Sequence, residues 1–212
     1  MPQLDLDGAN SKISADTIRG QSGTTVTVQS GHNLVGSGSG LTALPAGNLT
    51  GAMASGVTGV GKLLQIVHSL SGTNQTGTTV FAVDDTIAQI TEGDEYYTLA
   101  ITPASTSNIL EITCQLQIED SGGARMLTGA LFNTDSHATN ALAIGADYAP
   151  TGSRMHRLVF THVMTAPIAS ATTFRLRAGA ETSGTTRINE HNDSTLFSGG
   201  LRSGIIIKEY SA

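Results

Sequence analysis

The sequence has little of what stabilises small secreted domains or attracts nucleic acid. Its 212 residues include no tryptophan and a single cysteine, and aromatic residues make up 4%. One cysteine, Cys114, excludes a disulfide bond within the chain, so stability must come from packing or from association. Charged residues make up 13% of the chain, whereas the average for globular domains is about 25%. The net charge of −6 provides no electrostatic surface for nucleic acid or for an anionic membrane.

The sequence also lacks a long hydrophobic run. Its longest run of Val, Leu and Ile, Ile205–Ile207, is far too short to span a bilayer. The opening residues MPQLDLDGAN show no basic region followed by an apolar one, which a secretion signal would require. We therefore expect a protein that is made in a cytoplasm and does not insert into a membrane.

The first 61 residues contain no aromatic residue, although they hold 12 of the 25 glycines. Between Gln21 and Gly61 there is no Asp, Glu, Lys or Arg. Such a segment has too little bulky apolar surface to form a core of its own. We therefore expect partners to order it, which would make it the assembling part of the molecule.

Four leucines of this segment, separated by small and polar residues, are the candidate assembly residues. They are Leu34, Leu41, Leu44 and Leu49. Three copies of the chain wound together would bury these side chains and satisfy backbone donors between chains. The absence of charge favours this arrangement, because like charges from identical chains would repel one another near a threefold axis.

The material for a hydrophobic core lies later in the chain. All nine aromatic residues, five Phe and four Tyr, lie at or after Phe81. The composition therefore predicts two parts, an N-terminal shaft or attachment segment over 1–61 and a head domain over 62–212.

Residues of the second part follow the period-two pattern of β-strands. Leu110, Ile112, Cys114, Leu116 and Ile118 alternate with residues that are polar except for Ile109. This alternation predicts a strand over Asn108–Ile118 with one buried face that includes Cys114. Further strands are predicted over Leu64–Leu70, Tyr96–Thr102, Met126–Phe132, Arg157–Met164, Thr172–Ala178 and Gly204–Tyr210. Turn-forming clusters separate them and no long stretch has a helical period, so we predict an all-β head, an antiparallel β-sandwich of the jelly-roll or TNF-like type.

Two parts of the sequence resemble the virion fibres of bacteriophages, particularly phages of aquatic bacteria. SKISADTIRGQSGTTVTVQSGHNL followed by GSGLTALPAGNLTG resembles the shafts of such fibres. GKLLQIVHS, ITPASTSNILEI and the closing SGIIIKEYSA are similar to the knob at the fibre end. The resemblance implies a homotrimer in which an intertwined shaft carries a β-sandwich knob. It implies no catalytic residues, because the family pattern in the knob is structural.

The sequence thus favours a structural virion protein made in the host cytoplasm, a trimeric tail fibre whose head domain binds the host surface. Its partners would be its own copies, tail, baseplate or capsid proteins through residues 1–61, and a host surface glycan or protein. Multivalent display would turn weak contacts into useful avidity. The alternative is a capsid decoration protein at a threefold site. A polysaccharide depolymerase is less favoured.

Two polar loops are the candidate receptor-binding sites. Asn133–Asn140 and Thr186–Thr195 are long enough to project and rich in donors and acceptors, and binding loops often lie on rigid β scaffolds. From them we select Asp135, His137, Asn140, Asn189, His191 and Asp193. The alternative is that both segments are plain solvated loops.

Motifs for catalysis, cofactors or metals are weak by comparison. The run Gly36–Gly40 lacks the following helix and the Lys-Ser/Thr pair of a phosphate-binding loop. The six histidines show no close pairing of the zinc type, although a threefold axis would bring three copies of one histidine together. The acidic residues between Asp84 and Glu95 could supply a glycosidase pair, but they are more typical of a solvated loop. We therefore expect no enzyme, no cofactor and no metal site.

Overall fold

A computed structural model describes residues 61–212 of the chain. The predicted shaft and its assembly residues Leu34, Leu41, Leu44 and Leu49 lie outside the described residues. The division into a shaft and a head therefore stays a prediction, and the fold is that of the second part.

Residues 61–212 form twelve β-strands and one short 3-10 helix, Phe197–Gly199. The strands are β1 Leu63–Ser71, β2 Gln75–Gly77, β3 Asp94–Ile101, β4 Ile109–Asp120, β5 Arg125–Asn133, β6 Ala143–Ala149, β7 His156–Thr165, β8 Thr172–Ala180, β9 Thr186–Ile188, β10 Glu190–His191, β11 Ser194–Thr195 and β12 Ser203–Tyr210. No helix among these residues is long and apolar enough to cross a membrane.

Ten of the twelve strands form two antiparallel sheets, and β10 and β11 form a separate two-stranded hairpin. In sheet 1 the order is β1–β12–β4–β7. Beyond the end of β12, the short strand β9 pairs with β4 in its place, and β2 pairs with β9. In sheet 2 the order is β3–β8–β5–β6. Four long strands in each sheet, joined by connections that mostly cross from one sheet to the other, make a jelly roll. The predicted all-β antiparallel sandwich is confirmed.

The core lies between the two sheets, and β4 forms its centre. Leu110, Ile112, Cys114, Leu116 and Ile118 are all fully buried, as the alternation predicts. They pack in one apolar cluster with β5, β8 and β12, whose members include Leu127, Leu131, Phe174, Leu176, Ile205 and Ile207. Burial raises the pKa of Cys114 to about 12, so the thiol stays protonated and unreactive.

A second, smaller apolar cluster covers the outer face of sheet 2. Phe81 and Ala88, in the connection between β2 and β3, pack against Ala130 and Phe132 of β5. Strand β5 is therefore buried on both faces. This connection contains Asp84, Asp85 and Glu92, three of the acidic residues expected in a solvated loop, and its apolar side chains tie it to the sheet, whereas Asp94 and Glu95 lie in β3.

The two ends of the sandwich carry different connections. At the Asp120 end, the backbone amide of Ser153, between β6 and β7, donates to the Asp120 carbonyl, and that of Ser121 donates to Thr185, between β8 and β9. At the Asn108 end, the amide of Ala166, between β7 and β8, donates to the Asn108 carbonyl. The first and last described residues also meet at the Asn108 end, where Ser211 donates to Lys62.

Candidate functional site

The loop 133–140 lies at the Asn108 end and is anchored by its first residue. The fully buried Asn133 donates through Nδ2 to the Thr172 hydroxyl at 2.6 Å, and its Oδ1 accepts from the Ser136 amide. The predicted residues follow it. Asp135 is exposed and accepts from the same Thr172 hydroxyl at 2.6 Å, and His137 is exposed. Asn140 is half-buried and accepts from the Gln89 amide at 3.0 Å.

The second loop, 186–195, lies at the Asp120 end, on the opposite side of the sandwich. Its strand β9 pairs with residues 118–120 of β4, whereas loop 133–140 follows β5 at the end where β5 meets the start of β8. The structure therefore does not bring the two predicted loops together into one surface.

Strands β10 and β11 form a tight hairpin. Glu190 pairs with Thr195 and His191 with Ser194, so that Asn192 and Asp193 are the two turn residues. Both have positive φ, 48° and 59° respectively. A two-residue type I′ turn requires positive φ at both central positions, and Asn and Asp tolerate it better than other non-glycine residues.

Asn189 supports this hairpin from inside the protein. It is fully buried with φ of 64°, and its Nδ2 lies 3.0–3.1 Å from the carbonyls of Ser71 and Thr73 and from the Tyr97 hydroxyl. Its Oδ1 accepts from the Ser203 hydroxyl at 2.7 Å. Because every contact is internal, Asn189 positions the loop and offers no surface to a receptor.

Behind the hairpin lies a fully buried carboxylate, that of Glu119 at the end of β4. It accepts from His191 Nδ1 at 2.7 Å and from the Asn192 amide at 2.8 Å. The guanidinium of Arg187 lies 3.5 Å from it. A buried carboxylate needs such partners, because desolvation would otherwise make the charged form costly.

Arg187 links the buried carboxylates to the exposed turn. Its Nε donates to Asp193 at 2.7 Å and lies 3.7 Å from Glu190. The hydrogen bond to Asp193 raises the pKa of Arg187 above its ordinary value, so the group remains a cation. We name Glu119, Arg187, Glu190, His191 and Asp193 the hairpin cluster.

The exposed part of the hairpin cluster is what a partner could touch. The His191 side chain is 38% exposed and that of Asp193 is 75% exposed, while Glu119 and Glu190 lie beneath them. Together they present an imidazole and a carboxylate, which suit hydroxyl, amide and ammonium groups. Sequence analysis selected His191 and Asp193 but missed Glu119, Arg187 and Glu190. The sequence did contain one sign of this site, the acidic residues Glu119 and Asp120 that directly follow the apolar face of the predicted strand.

Three of the acidic residues considered for catalysis have structural partners. Asp94 accepts from the Thr79 amide and hydroxyl, Glu92 accepts from the amides of Ala82 and Gln89, and Glu95 lies 3.1 Å from Arg175. Within residues 61–212 no three His, Cys, Asp or Glu side chains are grouped in a way that could hold a metal ion. His162 lies on β7, as predicted, and burial lowers its pKa.

Comparison with known proteins finds distant structural likenesses. No family model and no curated protein matches the chain. The structure of Eiger TNF from S. frugiperda is similar at 7% identity and a TM-score of 0.40, over 69% of this chain and 93% of that one. The structure of infectious bursal disease virus Gx strain is similar at 13% identity and a TM-score of 0.36, over 79% of this chain and 41% of that one. The enzymatically active domain of bacteriophage CBA120 tailspike protein 4 is similar at 12% identity and a TM-score of 0.23, over 58% of this chain and 18% of that one. The assignment of the fold rests on the strand order itself.

Proposed function

We propose that the protein is a structural component of a bacteriophage virion, a homotrimeric tail fibre whose jelly-roll head binds the host surface. The observation that carries the proposal is a set of exposed aliphatic side chains on the outer strands of sheet 1. Residues 1–61 would form the shaft and the attachment to other virion proteins, in keeping with the resemblance of their sequence to fibre shafts.

The outer face of sheet 1 carries exposed aliphatic side chains on its two outer strands, β1 and β7, and polar side chains such as Lys208 and Glu111 lie between them. Ile66 of β1 is 52% exposed, and Val159 and Val163 of β7 are 51% and 60% exposed. They point away from the core, because their neighbours Val67, Leu158 and Phe160 pack into it. A one-sided antiparallel sheet normally alternates apolar inward and polar outward residues. Exposed aliphatic side chains on both outer strands of one sheet support a contact surface on this face.

The charges on this face suit a second copy of the same chain. Lys208 of β12 and Glu111 of β4 are cross-strand partners, and their side chains meet at 2.8 Å. This hydrogen bond lowers the pKa of Glu111 and raises that of Lys208, so the pair keeps both charges and neutralises itself. Identical copies could therefore approach without strong like-charge repulsion, which supports a symmetric contact.

The hairpin cluster is the proposed receptor-binding surface. It lies at the Asp120 end, opposite to the first described residue, where β9 pairs with the end of β4. A trimer would display three copies of it, so that weak contacts with a surface glycan or protein add up through effective concentration. Asp135, His137 and Asn140 lie at the other end and belong to a separate surface.

Locating the protein on the virion tests the proposal. Gold-labelled antibody against residues 62–212 should mark the tail, and phage that encodes a chain without residues 1–61 should lack the protein. Label on the capsid would assign the protein to capsid decoration at a threefold site. Normal incorporation of the shortened chain would refute the attachment role of residues 1–61. Release of sugar from host polysaccharide by the purified protein would favour a depolymerase.

A further inference from the structure

Phe197, in the connection between β11 and β12, combines high exposure with an unusual backbone. At 80% it is the most exposed of the large apolar residues in the described part of the chain, and it is the one aromatic residue there with positive φ. Its φ is 50°, and those of Ser198 and Gly199 are 50° and 77°. Glycine adopts such angles freely, whereas a bulky residue with positive φ is a strained outlier. Strain of this kind is concentrated at functional sites.

The backbone around Phe197 is held in place by close contacts. The Gly200 amide donates to the Phe197 carbonyl at 2.9 Å. On the other side, a Cβ atom at Gly72, just after β1, would collide with the Gly199 carbonyl oxygen, so the two backbones touch directly. The Phe197 ring therefore projects from a fixed backbone, and a partner that binds it loses little entropy in ordering the connection.

Phe197 lies at the Asp120 end, beside the hairpin cluster. It follows Thr195, the last residue of β11, by two positions and the turn residue Asp193 by four. Four residues of extended chain span at most about 14 Å. The connection then enters β12 at Ser203, which pairs with the last residue of β1. The ring and the exposed part of the hairpin cluster are thus close enough to contact one ligand of oligosaccharide size.

The polar groups beside Phe197 include both acceptors and donors. Oδ1 of Asp193 accepts from Arg187 at 2.7 Å, and because the side chain is 75% exposed, its other oxygen can accept from a ligand. The exposed side-chain amide of Asn192 lies 3.2 Å from His191 Nε2. A sugar ring has an apolar C–H face and a rim of hydroxyl groups. An aromatic ring with a carboxylate and an amide beside it matches both features.

The charge of the hairpin cluster disfavours an acidic sugar. Its three carboxyl groups belong to Glu119, Glu190 and Asp193, and its guanidinium belongs to Arg187. An anionic ligand would meet more carboxylates than cations at this end, and such a juxtaposition of like charges suppresses binding. The ligand class that fits is therefore a neutral sugar.

We propose that Phe197 is the stacking residue of a site for neutral sugars, with Asn192 and Asp193 as its hydrogen-bonding groups. The apolar face of one sugar ring lies on the Phe197 ring. The Asp193 carboxylate accepts from one hydroxyl of the sugar, and the Asn192 amide donates to another. The assignment rests on the proposed function, since the sugar would belong to a host surface glycan.

Binding of the purified full-length chain to host cells tests the assignment. Phe197→Ala should weaken binding roughly tenfold, the loss expected for one stacked ring, whereas Phe197→Tyr should bind like the wild type. Phe197→Gly should also weaken binding, yet it should raise the melting temperature by about 2–4 °C, because glycine relieves the strain of positive φ. A residue with a merely structural role would lower the melting temperature when replaced.

Treatment of the cells identifies the class of receptor. Periodate cleaves the vicinal diols of sugars and should abolish binding of the wild-type chain, whereas proteinase K should leave it intact. The reverse pattern would indicate a protein receptor and overturn the assignment. A steep fall of binding with added NaCl would indicate a charged ligand and overturn the neutral class.

Tyr148→Ala is the matched control, because Tyr148 is an aromatic residue that is 55% exposed on β6 in sheet 2. It should leave cell binding unchanged. Binding of Phe197→Ala at the wild-type level, equal weakening by Tyr148→Ala, or a lowered melting temperature of Phe197→Gly would each overturn the assignment and leave the proposed function in place. A wild-type chain that does not bind host cells would instead overturn the proposed receptor role itself, and the sugar site with it.

Discussion

Glu209 shows how one residue can join three parts of the fold. It lies on the inner face of β12, is fully buried, and accepts from Gln65 at 2.5 Å, from Asn108 at 2.5 Å and from the Ala104 amide at 2.8 Å. Burial by itself would raise its pKa, but the hydrogen bonds from Asn108, Gln65 and the backbone outweigh burial and lower the pKa below 4.5. The charged carboxylate thus fastens β1 and the connection between β3 and β4 to β12.

The lowered pKa of Glu209 predicts a specific pH dependence of stability. The folded pKa lies below the unfolded value of 4.5, so the stabilisation is fully present above pH 4.5 and is lost as the pH falls through the folded pKa. Glu209→Gln should therefore lower the free energy of unfolding by about 2–4 kcal/mol at neutral pH, and the difference should shrink in acid. Denaturant unfolding of the wild type and of Glu209→Gln across this pH range measures the difference.

Glu95→Gln is the matched control, because Glu95 is an exposed carboxylate paired with arginines on sheet 2. Exposed ion pairs contribute about 0–1 kcal/mol to stability, so this change should leave the free energy of unfolding almost unchanged. A difference between wild type and Glu209→Gln that stays constant with pH would contradict the account of Glu209.

At the scale of the element, the β10–β11 hairpin is held by buried residues and presents two exposed side chains to solvent. Asn189 holds the hairpin from the interior, and Glu119 and Arg187 hold it from beneath. His191 and Asp193 are the members of the hairpin cluster with exposed side chains. Changes in the two groups should therefore have different consequences.

His191→Ala and Asp193→Ala should reduce adsorption to host cells while the head stays folded. Arg187 retains Glu119 and Glu190 when Asp193 is lost, so the hairpin keeps its buried partners. Asn189→Ala should instead destabilise the head by about 2–4 kcal/mol, because it leaves buried donors and acceptors unpaired. Adsorption counts and thermal unfolding distinguish the two effects. Unchanged adsorption of both the His191 and the Asp193 variant would show that the hairpin is a plain solvated loop.

At the scale of the whole molecule, the two sheets differ in what covers their outer faces. The connection between β2 and β3 covers part of sheet 2 through Phe81 and Ala88. Sheet 1 leaves Ile66, Val159 and Val163 exposed within residues 61–212. Sheet 2 also leaves Ile144 and Tyr148 of β6 exposed, at 47% and 55%, and we predict that sheet 1 is the side that meets another copy in the proposed trimer.

Ile66→Glu should weaken the trimer, because it would place three carboxylates in an apolar contact. Sedimentation velocity should show a shift from trimer toward smaller species at a given concentration. Val83→Glu is the control, since Val83 is 54% exposed in the connection that covers sheet 2, close to the 52% of Ile66. An Ile66→Glu variant that sediments like the wild type, or a wild-type monomer, would contradict the proposed interface.

Local patterns in the sequence were sufficient for the fold class and for the long strands. The alternation around Cys114 predicted β4 and its buried face, because side chains on a strand alternate with period two whatever the partner. Strand β6 was missed, since AIGADYA is rich in small and exposed residues and lacks that alternation. Strands β2 and β9–β11, with two or three residues each, are too short to carry a period.

What the sequence by itself determined is therefore the all-β class, the buried thiol and the polar character of the candidate loops, all of which follow from composition and local periodicity. The tertiary structure alone decided that loops 133–140 and 186–195 lie at opposite ends, that Asn189 is interior, and that His191 meets Glu119 from 72 positions away. The physical reason is that strand order and register depend on packing between distant segments, which no short pattern encodes.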